Sequence, residues 1–180
     1  MLKAIIELSR DCDAVLIPSG ERLMLKKGTP VAVSQALGGT FTVITDEGSL
    51  ARISGVDADA IGEKPAPALS KTASDAPLEK RVWDVLRTVY DPEIPVDVVE
   101  LGLIYGVDIL PAPAAGGSRV LVRMTLTAPG CGIGDVLKDE VEQKLSSLEG
   151  VGEAEVEWAW DPPWDPSRMS EAAKLETGLM

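Results

Sequence analysis

Cys131 is the residue best placed in this chain to do chemistry. It stands in Thr127-Ala128-Pro129-Gly130-Cys131-Gly132, where an alternating apolar run ends and a helical pattern begins. Free backbone N–H groups and the positive end of a helix dipole gather at such a junction and favour a thiolate. Glycines on both sides leave room for a partner or a metal to approach. The same residue can also be read as a small apolar side chain filling a corner of the core. Cys12, the second cysteine, lies in Arg10-Asp11-Cys12-Asp13 between carboxylates that raise a thiol pKa, and reads as structural. Asp91-Pro92-Glu93-Ile94-Pro95 puts two carboxylates on a loop stiffened by two prolines. Such rigidity suits an interaction surface built on Asp91 and Glu93, or it marks a helix stop in which Asp91 bonds its own backbone. Trp158 and Trp160 alternate as core residues of a strand do, whereas Trp164 falls outside that period and is a candidate protein contact.

What is missing bounds the chemistry further. The 180 residues include no histidine, which removes the usual general base and the commonest metal ligand together. A Ser-His-Asp or Cys-His hydrolase is thereby excluded. With two cysteines the chain cannot furnish a four-thiolate site alone, and they are too few for a disulfide framework. Seventeen basic against 29 acidic residues leave a net charge of −12, which repels a phosphate backbone, so nucleic acid is not an expected ligand. The apolar runs fall well short of the roughly 20 residues that span a bilayer. The sequence shows no leader pattern, and a soluble protein of the cytoplasm is expected.

The elements that position these residues follow from periodicity. Short β-prone runs at 5–8, 14–17, 23–25, 31–33, 40–44 and 49–53 are separated by turn signals such as Pro18-Ser19-Gly20 and Gly38-Gly39. They predict a small all-β module over residues 1–61. Residues 62–76, rich in Pro, Ala and Ser, read as a linker. From 77 to 180 the expected order is α-β-β-α-β, an α+β (α/β) domain with a mixed three-stranded sheet and a C-terminal tail. Its first helix is capped by Asp75, carries Leu78, Val82, Val85, Leu86 and Val89 on one face, and stops at Tyr90 before Asp91-Pro92. A hairpin joins 103–110 to 120–127. The helix after Cys131 buries Ile133, Val136, Leu137, Val141, Leu145 and Leu148, and the third strand runs from Ala154 to Trp160. A last helix, capped by Asp165, starts near Pro166 and reaches Leu175.

Taken together, 91–97 (Asp-Pro-Glu-Ile-Pro-Val-Asp), Glu100-Leu101-Gly102-Leu103-Ile104-Tyr105 and 125–132 resemble the metal-sulfur cluster biosynthesis domain. That family includes the eukaryotic cytosolic iron-sulfur targeting subunit and the phenylacetate-degradation subunit PaaD. The match covers roughly residues 77–165. Arg10-Asp11-Cys12, Ile17-Pro18-Ser19-Gly20, Gln35-Ala36-Leu37-Gly38-Gly39, Gly55-Val56-Asp57-Ala58-Asp59-Ala60 and the ending Met169-Ser170-Glu171-Ala172-Ala173-Lys174-Leu175 resemble the SufT proteins in particular. Two positions depart from the family pattern: Asp97, where Asn is common, and Glu100, where Asp is.

The resemblance implies an accessory factor of iron-sulfur cluster assembly, with Cys131 as the contact to a transient cluster or to its target. Its partners would be the assembly machinery and apo client proteins, and a homodimer would supply the ligands that one chain lacks. Two other functions compete. An adaptor could dock the machinery onto apo-proteins without touching iron, through the acidic surface, the Asp91 loop and Trp164. An enzyme with Cys131 as nucleophile would have no histidine to activate it, so no enzymatic activity is expected.

Overall fold

The computed structural model describes residues 5–64, 75–112, 116–128, 130 and 132–178. The chain divides into two compact units, Met1–Ala68 with Cys131–Val136, and Leu69–Gly130 with Leu137–Met180.

The first unit is built on six antiparallel strands: β1 Ile5–Glu7, β2 Cys12–Ile17, β3 Arg22–Leu25, β4 Pro30–Leu37, β5 Thr40–Thr45 and β6 Leu50–Ser54. They lie in the order β1-β4-β5-β6-β2-β3. Every strand falls where the β-prone runs placed it, because the alternation records which face is buried. Cys12 and Ala14 of β2 point into a core with Leu25, Val31, Val43 and Ile53, while Asp13 between them is exposed. A 3-10 segment, Gly55–Ile61, closes that core with Ala58, Ala60 and Ile61. Arg10 holds this closure: its guanidinium donates to both Asp59 carboxylate oxygens, at 2.7 and 2.6 Å, and to Asp57 at 2.8 Å. The Arg10-Asp11-Cys12 and Gly55–Ala60 motifs are therefore two halves of one structural clasp.

The second unit carries helix α1, Leu78–Leu86, and a three-stranded sheet of β7 Ile104–Ala112, β8 Gly117–Met124 and β9 Val151–Trp158. β7 and β8 form the expected hairpin, with Val107 opposite Val122, and β9 runs parallel to β8, with Val156 opposite Val122. The helix before β9 is α2, Gly134–Ser146, and Leu137, Val141 and Leu145 on it are fully buried. Each such side chain contributes about 1.5–3 kcal/mol by leaving water. The outer edge of β9 is not left open: the Val156 N–H, turned away from β8, donates to the Glu142 carboxylate of α2 at 2.9 Å. A side chain thus occupies a donor that a stray strand could otherwise pair with.

Three boundaries differ from expectation. Helix α1 takes Pro77 as its N-cap, not Asp75, and ends at Leu86, not Tyr90. Tyr90 instead bridges to Asp97, so the segment following the helix turns back on itself before the prolines can stop anything. The C-terminal helix is two pieces: Asp165 caps a 3-10 turn, Pro166–Arg168, and Ser170 caps α3, Glu171–Thr177. Between them Met169 is extended and 4 % exposed, because burying its side chain takes its backbone out of the helical region. Trp160 is not a core residue. At 45 % exposure it stacks on the half-buried Trp158, with ring centroids 5.6 Å apart, just beyond the end of β9. The expected linker falls largely on residues 65–74, outside the described residues.

Candidate functional site

Cys131 and Pro129 lie outside the described residues. The chain on either side of them is well defined. Beyond β8, Thr125 is 1 % exposed and donates its N–H to the Leu103 carbonyl at 2.9 Å. Leu126 is buried beside it, whereas Ala128 and Gly130 are exposed. After the cysteine, Gly132 is exposed, Ile133 is buried, and α2 opens at Gly134. Strand end and helix start thus flank Cys131 in the chain order that the periodicity predicted.

The Asp91–Pro95 loop is shaped from within. Asp91 is 7 % exposed, and its carboxylate accepts from the Glu93 N–H at 2.8 Å and the Ile94 N–H at 2.9 Å. This is the local turn in which the aspartate bonds its own backbone. The expectation that Asp91 offers its charge at an interaction surface is corrected accordingly: the side chain is turned inward, and Glu93 is the carboxylate that the loop leaves exposed.

A second carboxylate does similar work unannounced. Asp97 accepts from the N–H groups of Val99 and Glu100, both at 3.0 Å, and its own carbonyl accepts from Leu101 at 2.9 Å. Burial pushes its carboxyl above the ordinary 3.8, with the Glu100 charge adding to the rise, while the two backbone donors and Arg87 oppose it. The signal was in the sequence, since an Asp followed three positions later by a Glu is a common helix-cap pattern. Glu100 itself pairs with Arg87 at 3.0 Å.

The Glu100–Tyr105 motif is the seat of the C-terminal tail. The Glu100 carbonyl accepts from the Ser170 N–H at 2.9 Å, and the Leu101 carbonyl accepts from the Trp164 indole at 2.8 Å. The Tyr105 hydroxyl donates to the Pro162 carbonyl at 2.8 Å, and the Arg168 guanidinium lies 4.0 Å above the Tyr105 ring. Gly102 holds φ 70°, and a side-chain carbon there would stand 2.7 Å from the Arg168 carbonyl carbon. Trp164, expected as a contact to another protein, makes its polar contact inside the chain and is partly buried.

Cys12 is 3 % exposed, and burial raises its thiol pKa, with the charge of Asp57 adding to the effect. It is a core residue of the first unit, as the sequence suggested. Among the described residues, no group of three or more Cys, Asp or Glu side chains is gathered as metal ligands. No helix among them is long and apolar enough to cross a membrane.

Much of the chain is similar to known proteins. Residues 79–158 match the family model described as "Iron-sulfur cluster assembly protein". An Fe-S protein maturation auxiliary factor of Porphyromonas gingivalis is 45 % identical over 102 residues, which are 57 % of this chain and 92 % of that one. The Fe-S protein maturation auxiliary factor SufT of Staphylococcus aureus is 36 % identical over 91 residues, 51 % of this chain and 98 % of its own. Among solved structures, a domain of unknown function (DUF59) from Bacillus anthracis superposes with a TM-score of 0.51 at 35 % identity, covering 57 % of this chain and 93 % of that one. With 45 % identity along 92 % of one maturation factor and 36 % along 98 % of another, the chain belongs to the SufT-type family of iron-sulfur cluster assembly proteins.

Proposed function

We propose that this protein is an accessory factor in iron-sulfur cluster assembly that helps mature or hand clusters to client proteins, with Cys131 as the thiolate that touches the cargo. The observation that carries this reading is the 45 % identity to a maturation auxiliary factor along 92 % of that factor's length. The cluster is cargo. One chain brings a single candidate thiolate to it, so two copies, or one copy and a thiol-bearing partner, share the four ligands that such a cluster usually takes. In this reading the protein is no enzyme in its own right, acts in the cytoplasm, and works with the assembly machinery and apo client proteins. A partner meets exposed Glu93 on the loop that Asp91 shapes from inside.

The test is Cys131→Ser. Oxygen for sulfur at one position should cost at most roughly 1–2 kcal/mol of stability, while the activity of client iron-sulfur enzymes in cells should collapse. Client activity that survives the substitution would refute the role of Cys131. Anaerobic reconstitution with iron and sulfide, followed by absorption and Mössbauer spectra, separates a carrier from an adaptor: a cluster on the wild type and none on Cys131→Ser supports the carrier, and no cluster on either leaves only the adaptor.

A further inference from the structure

We propose that the stacked Trp158–Trp160 pair at the end of β9, with the Asp161 carboxylate next to it in the chain, is a docking point for an arginine on an exposed segment of a partner protein. The proposal does not depend on the role of Cys131. Trp160 is 45 % exposed and stacks on half-buried Trp158, with ring centroids 5.6 Å apart and 24° between the ring planes. The chain is pinned on both sides of Trp160. The Ala159 N–H donates to the Met124 carbonyl at 2.8 Å. Beyond it, the Pro162 carbonyl accepts from the Tyr105 hydroxyl at 2.8 Å, and the Trp164 indole donates to the Leu101 carbonyl at 2.8 Å. The backbone that carries the ring is therefore fixed before any partner arrives, which spares an association part of its ordering cost.

Charge decides what this face accepts. Residues 153–165 carry five carboxylates and no basic side chain. Arg119 pairs with Glu153 and Glu155, and Asp165 accepts from the Ser167 N–H at 2.8 Å. Glu157 and Asp161 are exposed, and among the described residues neither side chain makes an ion pair or a hydrogen bond. A guanidinium stacks on a tryptophan face and bonds a carboxylate through the same planar group, a combination that the compact ammonium of lysine does not match. The fold makes such a stacking contact internally, where Arg168 lies 4.0 Å above the Tyr105 ring. Among the described residues no cation lies over Trp160. A purely apolar partner would desolvate the Asp161 carboxylate without pairing it, and an acidic one would be repelled.

The experiment follows the Trp158 and Trp160 indole N–H resonances of the whole chain, labelled with nitrogen-15, during titration with an acetylated Arg-Gly-Arg peptide. Physiological salt screens distant charges. The same peptide with citrulline in place of arginine keeps the shape and loses the charge. The arginine peptide should shift the Trp160 resonance, and the citrulline peptide should leave it in place. Trp160→Leu, followed through Trp158, and Asp161→Asn should each weaken binding roughly threefold. Asp161→Asn leaves the ring pair intact, so it reads the site even where Trp160→Leu disturbs the packing. Asp46→Asn removes an equal charge from the turn between β5 and β6 and should bind like the wild type. The docking point is overturned if the citrulline peptide binds as well, if Trp160→Leu and Asp161→Asn bind like the wild type, or if Asp46→Asn weakens binding equally. The titration needs no cluster and no client, so its failure leaves the Cys131→Ser test untouched, and failure there leaves the titration standing.

Discussion

Two aspartates that look alike in the sequence have different consequences for stability. The buried Asp91 carboxylate accepts from two partly buried N–H groups, those of Glu93 and Ile94. Asp91→Ala leaves both without that acceptor and should cost about 1–3 kcal/mol, seen as a lower midpoint in urea with an unchanged slope. Asp97 is a half-buried acid whose pKa is raised by the burial it does have. A raised folded-state pKa means that its contribution favours the folded state fully below the ordinary 3.8 and is lost as pH rises through the raised value. Asp97→Asn keeps an oxygen to accept from Val99 and Glu100 but carries no charge to bury. The variant should therefore melt higher than the wild type at pH 7, and the gap should close as pH falls toward 3.8. A gap that stays constant across that range would show that burial of the charge is not what separates them.

The C-terminal tail depends on one backbone position. Gly102 supplies a left-handed φ and the absence of a side chain just where Arg168 crosses it, and Trp164 and Ser170 hold the tail on either side. Gly102→Ala adds strain and a clash together and should cost about 1–3 kcal/mol. Because the clash is with the tail, hydrogen exchange should rise first at 166–177 while amides of β8 stay protected. Trp164→Phe keeps most of the ring but loses its bond to Leu101, at about 0.5–1.5 kcal/mol. Uniform loss of protection in either variant would mean that the tail is not a separable element.

At the scale of the whole molecule the proposed sharing of a cluster between two copies has a direct test. If the cluster is shared, light scattering at micromolar concentration should give a dimer on reconstitution with iron and sulfide, and Cys131→Ser should stay monomeric under the same treatment. A strict monomer in both cases would end the shared-cluster scheme. On the β9 edge of the three-stranded sheet, Glu142 already occupies the Val156 donor.

The amino-acid sequence alone placed the strands and the two longer helices along the chain, because periods of 2 and 3.6 residues record which side of each element leaves water. Cys12 in the core, the parallel β9 and the family itself were legible for the same reason: each is written in residues close together along the chain. Only the tertiary structure decided what joins distant segments. That α1 yields to a Tyr90–Asp97 bridge, that Trp164 anchors a tail on Leu101, and that Gly102 lies against Arg168 are outcomes of which surfaces meet. A glycine in a sequence states that a close approach is allowed. What approaches it is fixed by packing between residues whose separation in the chain carries no local signal.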